Sequence, residues 1–126
     1  MNYIEQNYQI AVIDYLRKMY PTVKFTISPA NAANPRQGAR NKAMGYVKGT
    51  PDILIFKRNK DFNGLFIELK TPEIRDIDGV IRQRKGEVSK EQKEWIEYLR
   101  KEGYLPIVCY GSNPAMNMID EYMSNV

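Results

Sequence analysis

The chain of 126 residues, 43% hydrophobic and 27% charged, has the size and balance of one globular domain, and no apolar run approaches the roughly 20 residues a membrane-spanning helix needs. A lone Cys109 and no histidine exclude an internal disulfide, a zinc finger, a Ser-His triad and a His-based metal site. Any bound metal must then be held by oxygen atoms, which favours magnesium, manganese or calcium. The net charge of +4 is modest but unevenly spread: between Asp14 and Asp52 there is no acidic residue, while Arg17, Lys18, Lys24, Arg36, Arg40, Lys42 and Lys48 all fall there. Such a stretch reads either as a phosphate-facing surface or as a solvated basic face without a partner. The polar, amphipathic start does not look like a secretory signal, so an intracellular protein, in the cytoplasm or nucleoid of its host cell, is expected.

In chain order, Tyr8, Val12, Leu16 and Met19 form one stripe of a helix over 3–19 that Pro21 stops. Residues 22–28 read as a strand, 29–38 as a loop and 39–44 as a short helix ended by Gly45. Strands over 52–57 and 65–70 flank Asp61-Phe62-Asn63-Gly64, whose Asn-Gly predicts a tight turn and antiparallel pairing. The charged stretch 72–88, with little periodicity, predicts an exposed, mobile loop. Ser89-Lys90-Glu91-Gln92 is a capping-box pattern opening a helix with Trp95, Ile96 and Leu99 on one face, ending near Gly103. A strand over 104–110 follows, and Asn113-Pro114 predicts the start of a last helix burying Met118, Ile119, Tyr122 and Met123. The whole reads as a single α/β domain over 1–126.

Successive strand residues point to opposite faces, so Glu68 and Lys70 share one face, about 7 Å apart at their backbones. They interrupt an otherwise apolar run, Phe66, Ile67 and Leu69. Asp52 poses the same puzzle at the head of Ile-Leu-Ile-Phe. If the two strands pair, both acids lie near one end of the sheet, where they repel unless one is protonated or a cation lies between them. Taken singly, these residues have ordinary readings: an exposed ion pair on an edge strand, and a turn aspartate. Glu5 lies on the buried stripe of the first helix, as a third acid of the site or as a capping partner of Asn2. Gln92 shares the face of Trp95, Ile96 and Leu99, and its ordinary reading is the reciprocal bond of the capping box with Ser89.

Glu5 in an opening helix, Ala43-Met44-Gly45, Gly49-Thr50-Pro51-Asp52, Glu68-Leu69-Lys70, then Ser89, Gln92, Trp95, Leu99 and Gly103 resemble the PD-(D/E)xK nuclease superfamily, and within it the virus-type replication-repair nuclease (VRR-NUC) family. The resemblance implies a restriction-endonuclease-like core, a central mixed β-sheet flanked by helices. It implies Asp52, Glu68 and the main-chain carbonyl of Leu69 as ligands of Mg2+ or Mn2+, Lys70 as the catalytic lysine, and Glu5 binding metal directly or through water. Gln92 would orient the lysine or the attacking water. The charged insert 72–88 departs from the family pattern.

The implied activity is hydrolysis of DNA phosphodiester bonds, selective for Holliday-junction or other branched DNA, in phage or viral replication, recombination or repair. Arg36, Arg40, Lys42, Lys48, Arg82, Arg84 and Lys85 are the candidate DNA-binding residues. A homodimer would supply two sites for a two-fold junction, with Tyr104, Tyr110, Met116, Met118, Tyr122 and Met123 as candidate contacts. The competing readings are a non-catalytic nucleic-acid-binding protein and the nuclease subunit of a restriction or mobile-element system.

Overall fold

The structure, a computed structural model, describes residues 3–28 and 34–126. Among them, helix α1 (Tyr3–Met19) leads to strand β1 (Phe25–Ile27), helix α2 (Pro35–Ala43) and strands β2 (Ile53–Ile55) and β3 (Leu65–Lys70). A short hairpin, β4 (Ile74–Arg75) and β5 (Ile81–Gln83), precedes helix α3 (Lys90–Lys101), strand β6 (Leu105–Tyr110) and helix α4 (Ser112–Met123). The main sheet has the order β1-β2-β3-β6 and is mixed: β1 with β2 and β2 with β3 are antiparallel, β3 with β6 parallel. The expected mixed sheet flanked by helices is what forms.

Alternation along β3 divides the molecule. Leu65, Ile67 and Leu69 join Val12 and Leu16 of α1, Ile53 and Ile55 of β2, and Ala115, Ile119 and Tyr122 of α4 in one buried cluster. Burying each large aliphatic side chain there stabilises the fold by about 1.5–3 kcal/mol. The alternate residues Phe66, Glu68 and Lys70 turn the other way. Phe66 stacks on Tyr104 at 4.8 Å between centroids, and Glu68 meets α3. No helix among the described residues is long and apolar enough to cross a membrane.

Five local expectations are corrected. Helix α2 begins at Pro35 rather than at residue 39, because Asn34 caps it, its side chain accepting from the Gln37 N–H at 2.9 Å, and proline suits a first-turn position. Asn63-Gly64 is not the turn between β2 and β3. The Asn59 side chain makes that turn by accepting from the N–H groups of Asp61 and Phe62, while the Asn63 N–H donates to the Gly103 carbonyl. The segment 72–88 is not without structure, since it holds the β4–β5 hairpin. Asp76 ties that hairpin, accepting from the Asp78 and Val80 N–H groups and pairing with Arg82 at 2.6 Å. Helix α4 starts at Ser112 after Gly111, which has no side chain to cap with; at φ 100° it turns the chain there while its N–H donates to the Lys70 carbonyl. Lastly, the aromatic and methionine residues proposed as dimer contacts are largely used within the chain. Tyr122 is buried with its hydroxyl donating to the Lys57 carbonyl, Met118 and Met123 pack on the core, and Tyr104 stacks on Phe66.

Candidate active site

The register Ile53↔Ile67 of β2 and β3, carried one residue further, sets Asp52 opposite Glu68 on the face turned away from the α1–α4 core. Strand β2 has ended by then, and the Asp52 carboxylate takes up the Leu69 N–H, accepting from it through Oδ2 at 2.7 Å. Upstream, the Ser28 hydroxyl donates to the Pro51 carbonyl and the Ser28 N–H to the Asp52 carbonyl, which hold the Gly-Thr-Pro-Asp turn in place. The Lys70 carbonyl accepts from Gly111 on the β6 side. Alternation therefore puts the Leu69 carbonyl on the opposite edge, beside Asp52.

Glu68 is 3% exposed, and its Oε1 accepts from Gln92 Nε2 at 2.8 Å and faces Lys70 Nζ at 3.8 Å. The capping box of α3 is complete at the same time: the Ser89 hydroxyl accepts from the Gln92 N–H at 3.2 Å, and the Ser89 N–H donates to Gln92 Oε1 at 2.8 Å. Both readings of Gln92 therefore hold together, the amide oxygen closing the cap and the amide nitrogen reaching the acid. Its partner is Glu68 rather than the lysine. Gly49 makes this approach possible. At φ 94°, a Cβ on it would stand 2.7 Å from the Glu91 carbonyl carbon and 2.9 Å from the Gln92 nitrogen.

Glu68 Oε2 is buried with no hydrogen-bond partner among the described residues. Burial pushes the Glu68 carboxyl up to about 9, helped by the Asp52 charge and opposed by Lys70. Burial raises Asp52 as well, against the Leu69 N–H and Lys70, which favour its ionised form. Two acids sharing a desolvated face, one with an orphaned oxygen, are a donor set that a hard divalent cation would complete. Glu5 lines the same cavity of about 440 Å³ as Asp52, Glu68, Lys70 and Gln92, and its charge raises both acids. Among the described residues no group of three or more His, Cys, Asp and Glu is gathered as a metal-holding cluster.

The basic residues divide. Lys48 lines the cavity, whereas Arg36, Arg40 and Lys42 lie exposed on α2, which among the described residues packs against no other helix or strand. Arg82 is engaged with Asp76, Lys85 lies over the Tyr110 ring at 4.1 Å, and Arg84 is exposed. Several residues of the cavity wall, Ser28 and Tyr46 among them, are not singled out by the sequence. Tyr46 lines the cavity, and its hydroxyl is raised by burial and by the charges of Asp52 and Glu68. The available signal was an aromatic between Gly45 and Gly49, just ahead of Asp52.

The VRR-NUC domain family matches residues 6–113 of the chain. A solved structure of a VRR-NUC domain protein is similar over 99% of this chain and 92% of its own, with a TM-score of 0.74 and 25% identity. Curated proteins offer no match. With the family matched over most of its length and the Asp52, Glu68 and Lys70 constellation set on the expected sheet, the chain belongs to the VRR-NUC family, a family of nuclease type.

Proposed function

We propose that the protein is a metal-dependent nuclease that hydrolyses DNA phosphodiester bonds, with Mg2+ or Mn2+ held by Asp52, Glu68 and the Leu69 carbonyl. The observation that carries the proposal is the pair of desolvated acids, one with a buried and unpartnered oxygen, beside a lysine in an open cavity. A divalent ion bound there supplies Lewis acidity toward a phosphoryl oxygen and lowers the pKa of a water. Asp52 is held by the Leu69 N–H and Glu68 by Gln92, so neither carboxylate must reorganise to bind. Lys70 Nζ, on the same face as Glu68, is placed to meet the negative charge that grows on phosphorus-bound oxygen, or to hold the attacking water. Lys48 at the cavity rim offers a further positive charge to the strand.

Branched DNA in phage or viral replication and repair is the substrate that the family resemblance favours, with two sites supplied by a homodimer. Incubation with duplex, single-stranded, flap and four-way DNA, with and without Mg2+ or Mn2+, tests activity and preference together, and sedimentation with a four-way junction tests the dimer. Asp52→Asn, Glu68→Gln and Lys70→Ala should each abolish cleavage while DNA is still bound. Full activity in all three variants would refute the site.

A further inference from the structure

Beside the catalytic cavity lies a hollow of about 430 Å³ lined by Asn41, Met44, Tyr46, Val47, Thr50 and Trp95. Among the described residues no charged side chain lines it, Lys42 and Lys48 line the adjoining hollow that shares Asn41, Tyr46 and Val47, and no acidic residue lines either. The apolar wall is held open to solvent: Met44 is 70% and Val47 55% exposed. Helix α2, which supplies Asn41, buries none of its residues.

The hollow is continuous with the catalytic cavity, since Tyr46 and Thr50 line both. We infer that it takes one unpaired base of the substrate strand next to the scissile phosphate, an inference that rests on the nuclease reading above. Trp95 and Tyr46 offer aromatic faces on which any base can stack. Asn41 accepts from Gln37 Nε2 at 2.8 Å through its oxygen, which leaves its amide N–H groups to donate to a base edge. Lys42 and Lys48 stand where the adjoining phosphates would pass. A base inside a duplex cannot enter such a hollow without unstacking, whereas one already unpaired enters at little cost. Selection for branched or single-stranded substrate thus has a physical source in one chain, independent of any dimer.

The test uses Asp52→Asn protein without metal, bound to a branched oligonucleotide with a single-stranded arm, in which one abasic site is moved nucleotide by nucleotide across the branch point. Binding is read by fluorescence anisotropy. One position should show a loss of about tenfold, the size of one stacked base. Adding Trp95→Leu, or Met44→Ala on the unpacked side, should shrink that loss to within about twofold. Thermal melting shows that each variant folds, and Met44→Ala carries the test if Trp95→Leu does not. If the Asp52→Asn protein binds with no position-dependent loss, or with the same loss in both variants, while the unsubstituted protein with Mg2+ cuts the same oligonucleotide, the hollow is overturned and the nuclease reading stands. Sedimentation that finds a dimer turned monomeric by either substitution also overturns it, because a second copy then covers the hollow. Absence of binding by the Asp52→Asn protein together with absence of cleavage by the unsubstituted protein with Mg2+ overturns the hollow and the nuclease reading together.

Discussion

Filling the acid pair with a divalent cation should expel a proton, and the number is set by Glu68. Its carboxyl, buried against Asp52, is raised from 4.5 to about 9. At pH 7 such a group is largely protonated, whereas a carboxylate ligand must be ionised. Uptake of Mg2+ or Mn2+ should therefore release about one proton. Its affinity should rise about tenfold per pH unit between roughly pH 6 and 9 and flatten above that. Titration calorimetry at one pH in two buffers of different ionisation enthalpy counts the proton directly. The metal-free protein supplies a second readout. A carboxyl whose folded pKa lies above its unfolded value contributes stability that is complete below pH 4.5 and is lost as the pH rises through about 9. Asp52, also raised, adds in the same direction. Melting of the metal-free protein should thus fall between pH 5 and 7, Glu68 alone accounting for roughly 2–3 kcal/mol. Glu68→Gln should flatten that dependence. Metal binding with no proton release and an affinity constant from pH 6 to 8 would refute the reasoning, since Glu68 would then already be ionised in the empty site.

Two further outcomes follow from single contacts. Gly49→Ala places a methyl 2.7 Å from the Glu91 carbonyl carbon at a backbone φ of 94°, so it should cost about 2–4 kcal/mol in thermal unfolding and lower turnover by pushing Gln92 from Glu68, and an unchanged melt would show that the two segments are not in contact. Asp76→Ala removes the carboxylate that accepts from Val80 and Asp78 and pairs with Arg82, so the amides of both residues should exchange hydrogen faster while the core amides do not. The Val80 N–H bond, with Arg82 and the Asp78 N–H, holds the Asp76 carboxyl below its usual 3.8. Its support of the hairpin is then complete above pH 3.8 and lost only as the pH falls through the lowered value, which exchange measured in acid would detect.

What the sequence made legible follows from how local each signal was. The two-residue period of Glu68 and Lys70 on an apolar strand, and the Ser89 to Gln92 capping box, are set by neighbours within four positions, and both stand in the structure. Asn-Gly misled because a dipeptide preference competes with tertiary demand. Here Asn63 is committed to Gly103, and Gly64 lies with its Cβ position 3.0 Å from the Ile55 carbonyl, so the turn passed to Asn59. Pairing of Asp52 with Glu68 was read correctly through the wrong turn, since register is fixed by the buried faces of Ile53, Ile55, Leu65 and Ile67 whatever loop joins them. Tyr46 was hidden because no local pattern sets it on the cavity wall beside Asp52 and Glu68, which come from elsewhere in the chain. Gln92 carries the general lesson. A capping glutamine and a site glutamine seemed to be rival readings, but an amide has an acceptor at one end and donors at the other. The helix start needs only the acceptor, so the donor is free to fix Glu68, and the residue that begins α3 is also the one that holds the acid in place.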